Sequence, residues 1–148
     1  MIILVQRVKR ASCKIDDEIV SQINQGYLLL VCLEKDDNFD VIKKMVNKIL
    51  KLRIFSDSNN LMNLNIKDVN GEILSISQFT LAANLKKCNR PSFSNAMNAK
   101  LASDYYKDFN ELLRSESIVV KEGKFGSDMQ IELVNDGPVS IILNSKEF

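Results

Sequence analysis

The sequence predicts a mixed α/β fold: mostly antiparallel β-sheets in a barrel-like β-β-α layering, one domain over residues 1–148, with two main helices on one side. Three observations point there. The segments run in the order strands, helix, strands, helix, strands. Turn signals suited to hairpins separate several of the strand-like runs, which favours antiparallel pairing. Two other segments repeat apolar residues at helical spacing, as helices lying on a sheet do.

Residues 2–8 mix apolar and polar positions as a strand does. Residues 12–15 and 18–23 flank Asp16-Asp17, which predicts a hairpin. Gly26 interrupts the pattern, and residues 27–33 read as a buried central strand. Asp36, Asp37 and Asn38 offer capping oxygens ahead of a helix that presents Phe39, Ile42, Val46, Ile49 and Leu50. Its opposite face, with Lys43, Lys44, Asn47 and Lys48, reads as a solvated face. Residues 52–55 suggest another strand, and residues 56–60 are turn-like. Asn70-Gly71 is a hairpin-type turn before a strand over residues 72–78. Residues 82–94 form a basic loop. A second helix starts near Ala99, its buried stripe being Leu101, Tyr105, Phe109, Leu112 and Leu113. A short strand follows over residues 117–121, then a turn at Gly123. Phe125-Gly126 leads into a final hairpin around Asn135-Asp136-Gly137-Pro138. Asp-Gly between β runs favours that hairpin, although a proline cannot donate to a ladder and makes a cis peptide affordable.

Composition narrows the chemistry. Hydrophobic residues make up 45% and charged residues 26%, as in soluble globular proteins. The longest apolar run, residues 27–33, is too short to span a bilayer. With no signal-peptide layout at the start, the expected location is cytoplasmic, with no membrane partner. Cys13, Cys32 and Cys88 are odd in number and dispersed, which argues against a disulfide framework and against a zinc site. No metal or cofactor is expected. The chain has no histidine, so imidazole catalysis and His-ligated metals are excluded. A net charge of +1 does not suit a protein that embraces a long duplex, but it allows contact with the end of an RNA.

The most informative stretches are Ser77-Gln78-Phe79-Thr80-Leu81, Asn89-Arg90-Pro91-Ser92-Phe93, Phe125-Gly126 and Asn135-Asp136-Gly137-Pro138-Val139. With Val5-Gln6-Arg7-Val8, Leu52-Arg53-Ile54-Phe55 and Met62-Asn63-Leu64, in this order over nearly the whole chain, they resemble the D-aminoacyl-tRNA deacylase family. The resemblance implies hydrolysis of the ester between a D-amino acid and the 3′-terminal adenosine of tRNA, a chiral proofreading step that also removes glycine. It implies a homodimer with active sites at the interface. A cis Gly137-Pro138 peptide would reach into the partner's pocket, where its carbonyls leave no room for an L side chain. The alternative is a protein that binds tRNA ends without catalysis.

By the same resemblance, the amide groups of Phe79 and Thr80 hold the developing oxyanion, which is often the largest catalytic contribution. The Thr80 hydroxyl could also act as a nucleophile or position water, although no activating base is visible in the sequence. Ser77 and Gln78 either bond the adenosine or α-amino group or simply cap the strand end. Arg7 is either a brace for the Gly-Pro element or a surface arginine. Phe125 and Met129 line the pocket or belong to the core. Lys86, Lys87 and Arg90 meet acceptor-stem phosphates or sit in a solvated loop. The chain departs from the family pattern at Ser140, where threonine is usual, at Cys88, where glycine is usual, and at Ala83 and Leu85.

Overall fold

The computed structural model describes residues 1–86 and 89–148. Its organising element is a long strand, β1 (Ile2–Ile15). Asp16 and Asp17 both take positive φ, 50° and 65°, and turn the chain into β2 (Glu18–Ile23), so the first predicted hairpin forms. β3 (Gly26–Cys32) pairs antiparallel with the first half of β1, on the side where β2 pairs with the second half. Gly26 is needed where β3 starts: a Cβ there would lie 1.8 Å from the Glu72 carbonyl oxygen.

After β3 comes α1 (Phe39–Lys51). The Asn38 side chain caps it, accepting from the amides of Asp40 and Val41. Ile42, Met45, Val46, Ile49 and Leu50 are buried, while Phe39 stays exposed beneath the Lys43 ammonium. The strand predicted over residues 52–55 is reduced to β4 (Phe55–Ser56), paired with β5 (Met62–Leu64). At Asn70 (φ 49°) the chain turns as expected, but no hairpin results. The next strand, β6 (Glu72–Ser77), lies parallel to β3 instead. α2 (Ala99–Ser115) then leads to β7 (Val120–Glu122), parallel to β6. Antiparallel pairs still outnumber parallel ones among the described residues, and the approach of β2 to β6 and β7 brings the sheet close to a closed barrel.

Two further expectations need correction. In α2 the buried residues are Tyr106, Phe109, Asn110 and Leu113, whereas Leu101 is exposed and Tyr105 and Leu112 are only partly buried. The apolar stripe picked the wrong tyrosine because burial here follows polar contacts: the Tyr106 hydroxyl donates to the Ser75 carbonyl (2.8 Å), and Asn110 donates to Glu122 (2.8 Å). The final hairpin does not exist either. β8 (Gln130–Asn144) is one continuous strand paired along almost the whole of β1. Gln6 faces Ser140 and Val8 faces Asn135, so Arg7 alone stands opposite residues 136–139. The surplus residues leave the ladder as a bulge, a place where a sheet accepts proline. The Gly137–Pro138 peptide within it is cis. Asp-Gly misled because hairpin chemistry is local, while β1 offers a distant edge long enough to align both arms.

Alternate residues of β3 serve two cores. Tyr27, Leu29 and Val31 pack toward the helices with Ile42, Ile49 and Phe109. Leu28 joins Val8, Cys13, Ile23, Leu74 and Ile76 inside the curled sheet. A strand buried on both faces explains the unbroken apolar run. Each fully buried leucine or isoleucine contributes about 1.5–3 kcal/mol. At the sheet's end the Met1 ammonium donates to Glu34 (3.1 Å), Asp37 (2.6 Å) and the Ser145 hydroxyl (2.8 Å), and Lys146 donates to Glu34 (2.9 Å).

Candidate active site

β6 stops at Ser77, but the next amide, Gln78 N, still donates to the Val31 carbonyl (2.7 Å). The chain therefore leaves the sheet from a fixed point. It then forms a 3-10 turn over Phe79–Ala82. Ser77, Gln78 and Phe79 line one wall of a cleft of about 490 Å³. Phe125, Gly126 and Met129 line the same cleft, as does Tyr106, whose ring lies 5.9 Å from that of Phe125. Residues about fifty apart in sequence are thus brought to one cleft, and Phe125 and Met129 belong to the cleft as well as to the packing around the two cores.

The chemistry available there is mostly backbone. Phe79 and Thr80 open the turn, where a helix leaves its first N–H groups without acceptors of its own. The Phe79 ring is exposed and meets Phe93 edge-on, 5.0 Å between centroids. Beneath it the Phe79 carbonyl accepts from the Cys32 thiol (3.6 Å). Burial pushes that thiol up to about 11, and burial likewise pushes the Tyr106 hydroxyl up to about 12, so neither ionises near neutrality. The Thr80 hydroxyl accepts from the Gln78 side-chain amide, which is not a base. Thr80 itself is exposed and stands beside the cleft rather than on its wall.

Arg7 is buried, so it is not a surface arginine. Its Nε donates to the Asp136 carbonyl (2.9 Å) and pairs with the Asp136 carboxylate (3.3 Å), while Nη1 donates to the Ile54 carbonyl. Asn135 closes the base of the bulge: its Oδ1 accepts from Val139 N (2.7 Å) and its Nδ2 donates to Ser140 Oγ (3.0 Å). Ser140 thus uses the hydroxyl it shares with threonine. Gly137 and Pro138 are exposed at the tip, and neither they nor Arg7 line the cleft. The basic loop is tied at its base by the Asn84–Ser92 bridge, and Lys86 and Arg90 are exposed on it. Lys87 and Cys88 lie outside the described residues. Sequence reasoning missed Tyr106 and Phe93. The first was one helical position from the residue chosen, and the second carried no signal beyond its motif.

Among the described residues no group of three or more potential ligands could hold a metal ion, and no helix is long and apolar enough to cross a membrane.

Comparison with known proteins decides the family. The model of the D-Tyr-tRNA(Tyr) deacylase family matches residues 4–144. The chain belongs to that family. A D-aminoacyl-tRNA deacylase of Lactobacillus gasseri is 51% identical over 144 residues, covering 97% of this chain and 99% of that protein. Membership of this deacylase family makes the protein a hydrolase acting on the ester bond of aminoacyl-tRNA. Among solved structures, a c-Myc DNA unwinding element binding protein superposes with a TM-score of 0.92 at 39% identity, covering 97% of this chain and 98% of the other. A probable eukaryotic D-amino acid tRNA deacylase superposes with a TM-score of 0.83 at 15% identity, covering 96% and 97%, and so shares the deacylase fold.

Proposed function

We propose that the protein, one domain over residues 1–148, works in the cytoplasm as a homodimer that removes D-amino acids and glycine from tRNA and spares L-aminoacyl-tRNA. One observation carries this reading: each protomer has a cleft built on Ser77, Gln78 and Phe79, while its Gly137-Pro138 bulge is exposed and is not part of that cleft's lining. A second protomer that inserted its bulge would complete the wall.

In the completed site the 3′-terminal adenosine and its ester lie in the cleft, near Ser77 and Gln78. Water attacks the ester carbonyl, the tetrahedral oxyanion accepts from the amides of Phe79 and Thr80, and the bond to the ribose oxygen breaks. The proton from water passes to the leaving ribose oxygen. An aminoacyl ester is already activated, so preorganised amides suffice without a histidine. The carbonyls of Gly137 and Pro138 from the partner accept from the substrate ammonium and wall off one side of its α-carbon. A backbone wall rejects any L side chain and lets glycine through. Arg7 keeps that wall in place, Phe125 and Met129 shape the pocket, and Lys86, Lys87 and Arg90 meet phosphates near the 3′ end.

The test charges one tRNA with a D- and with an L-amino acid and measures release. The expected result is fast release of the D-residue only. Equal rates would reject the chiral filter, and binding without turnover would reject catalysis.

A further inference from the structure

The solvent-facing side of α1 is more basic than a chain of net charge +1 requires. Between residues 41 and 56 stand Lys43, Lys44, Lys48, Lys51 and Arg53, with no carboxylate. All five are exposed. Lys43 is paired with Asp40 at the helix start (3.7 Å), and across the groove Lys67 is paired with Glu116 (2.8 Å). Among the described residues Lys44, Lys48 and Lys51 have no ion pair, although Lys48 rests over the Phe148 ring. Arg53 is held by donating to the Asn63 carbonyl (2.6 Å) and side chain (3.0 Å), which fixes its guanidinium plane. Two hollows flank the helix. One, of about 440 Å³, holds Lys43, Lys51 and Lys67; the other, of about 520 Å³, holds Lys44, Lys48 and Arg53.

α2 relates this surface to the cleft. Its first turns, at Ala99, Ala102 and Tyr106, line the cleft, and its last, at Leu112, Ser115 and Glu116, line the first hollow. At 1.5 Å per residue, Ala99 and Ala102 lie roughly 15–25 Å along the helix from Leu112, Ser115 and Glu116. A nucleic-acid strand spaced at about 3.4 Å per nucleotide covers that distance in roughly five to seven nucleotides.

We propose that the lysine face of α1, with Arg53, is a second contact surface for tRNA, taking phosphates of the acceptor stem while the 3′ end occupies the cleft. The proposal rests on the deacylase reading above. Charge complementarity selects the occupant, because a polyanion whose end must enter the cleft has to pass its backbone along the protein. The surface supplies affinity and not chemistry: its cations are remote from the ester, and phosphate contacts position a nucleic acid without reading its bases.

The experiment compares the wild-type protein with the triple variant Lys44→Gln, Lys48→Gln, Lys51→Gln on D-aminoacyl-tRNA and on D-aminoacyl-adenosine. For tRNA, KM should rise about tenfold or more with kcat unchanged, and the salt dependence of log KM should flatten by about 2–3. Hydrolysis of the adenosine ester should be unchanged. An unaltered KM and salt slope would overturn the proposal. Failure of the wild-type protein on both esters would reject the deacylase reading instead. The surface is then read from binding of uncharged tRNA by fluorescence anisotropy, where loss of affinity in the variant supports it and equal affinity overturns it. If a DNA duplex of matched length binds as tightly as tRNA and through the same lysines, tRNA is overturned as the occupant.

Discussion

Ser77, Gln78 and Phe79 owe their place to backbone pairing, whereas Gly137 and Pro138 owe theirs to two side chains, Arg7 and Asn135. The first region ends a strand locked between β3 and β7, and the ladder bond from Gln78 to Val31 carries the lock one residue further. Many side-chain changes there would leave the backbone where it is. The second region has left the ladder, and its position depends on Arg7, with Asn135 lacing its base. If the site works through amides and carbonyls as proposed, the fold holds such groups in two ways, by sheet registration and by side-chain bonds from Arg7 and Asn135.

The largest break in this comparison should come from Arg7→Ala. It leaves the Asp136 and Ile54 carbonyls without their buried donor and the partly exposed Asp136 carboxylate with only Lys9, at a cost of about 3 kcal/mol. Denaturant unfolding should show the lower midpoint, and selectivity for D- over L-aminoacyl-tRNA should fall more than tenfold in whatever remains folded. Stability close to wild type would mean that the bulge holds itself.

The strand-end region should respond to backbone chemistry and not to side-chain chemistry. Thr80→Ala keeps the amide and should leave the single-turnover rate within about threefold, whereas Thr80→Pro removes the donor and should cost about 10²–10³-fold. Proline is tolerated in the first turn of a helix, so the fold should survive. A large loss in Thr80→Ala would restore the hydroxyl as nucleophile.

Gly137→Ala should be milder for stability, at about 1–3 kcal/mol. The glycine has φ +134°, and an added Cβ would lie 2.7 Å from Val139 Cγ2 and 3.1 Å from Arg7 Nη2. The rate on D-aminoacyl-tRNA should drop, while the circular-dichroism spectrum stays native. An unchanged rate and selectivity would place the chiral wall elsewhere.

The smallest effect is expected from pH, in a region remote from both. Burial raises the Glu34 pKa, but hydrogen bonds from Lys146 and the Met1 ammonium outweigh it, and the carboxyl titrates below its ordinary range. Its contribution is therefore complete above about pH 4.3–4.5 and is lost as pH falls through the lower folded value. Glu34→Gln should remove that part of the acid dependence of the thermal midpoint. Near neutrality the deacylation rate should show no inflection from Cys32 or Tyr106, which titrate far higher.

Local chemistry was readable wherever it decided the structure. Asn38 capped α1, Asp16-Asp17 turned a hairpin, and the double-sided burial of β3 followed from its unbroken apolar run. The motif at residues 77–81 was correctly placed at a strand end. What failed depended on partners far away in the chain. Tyr106 is buried by a carbonyl thirty-one residues earlier, and Gly137-Pro138 is a bulge because β1 continues past it.

The sequence by itself determined both helices, the first hairpin, the central strand and the absence of imidazole chemistry, because capping, periodicity and turn preference act over a few residues. Only the tertiary structure decided that Asn135 to Val139 interrupts one strand instead of joining two. It also decided that Arg7 is buried against the bulge and that Phe125 and Met129 share a cleft with Ser77. Register and burial are set by the whole sheet: a strand's partner, and the side chain left opposite its surplus residues, exist only once the long edge of β1 has been formed.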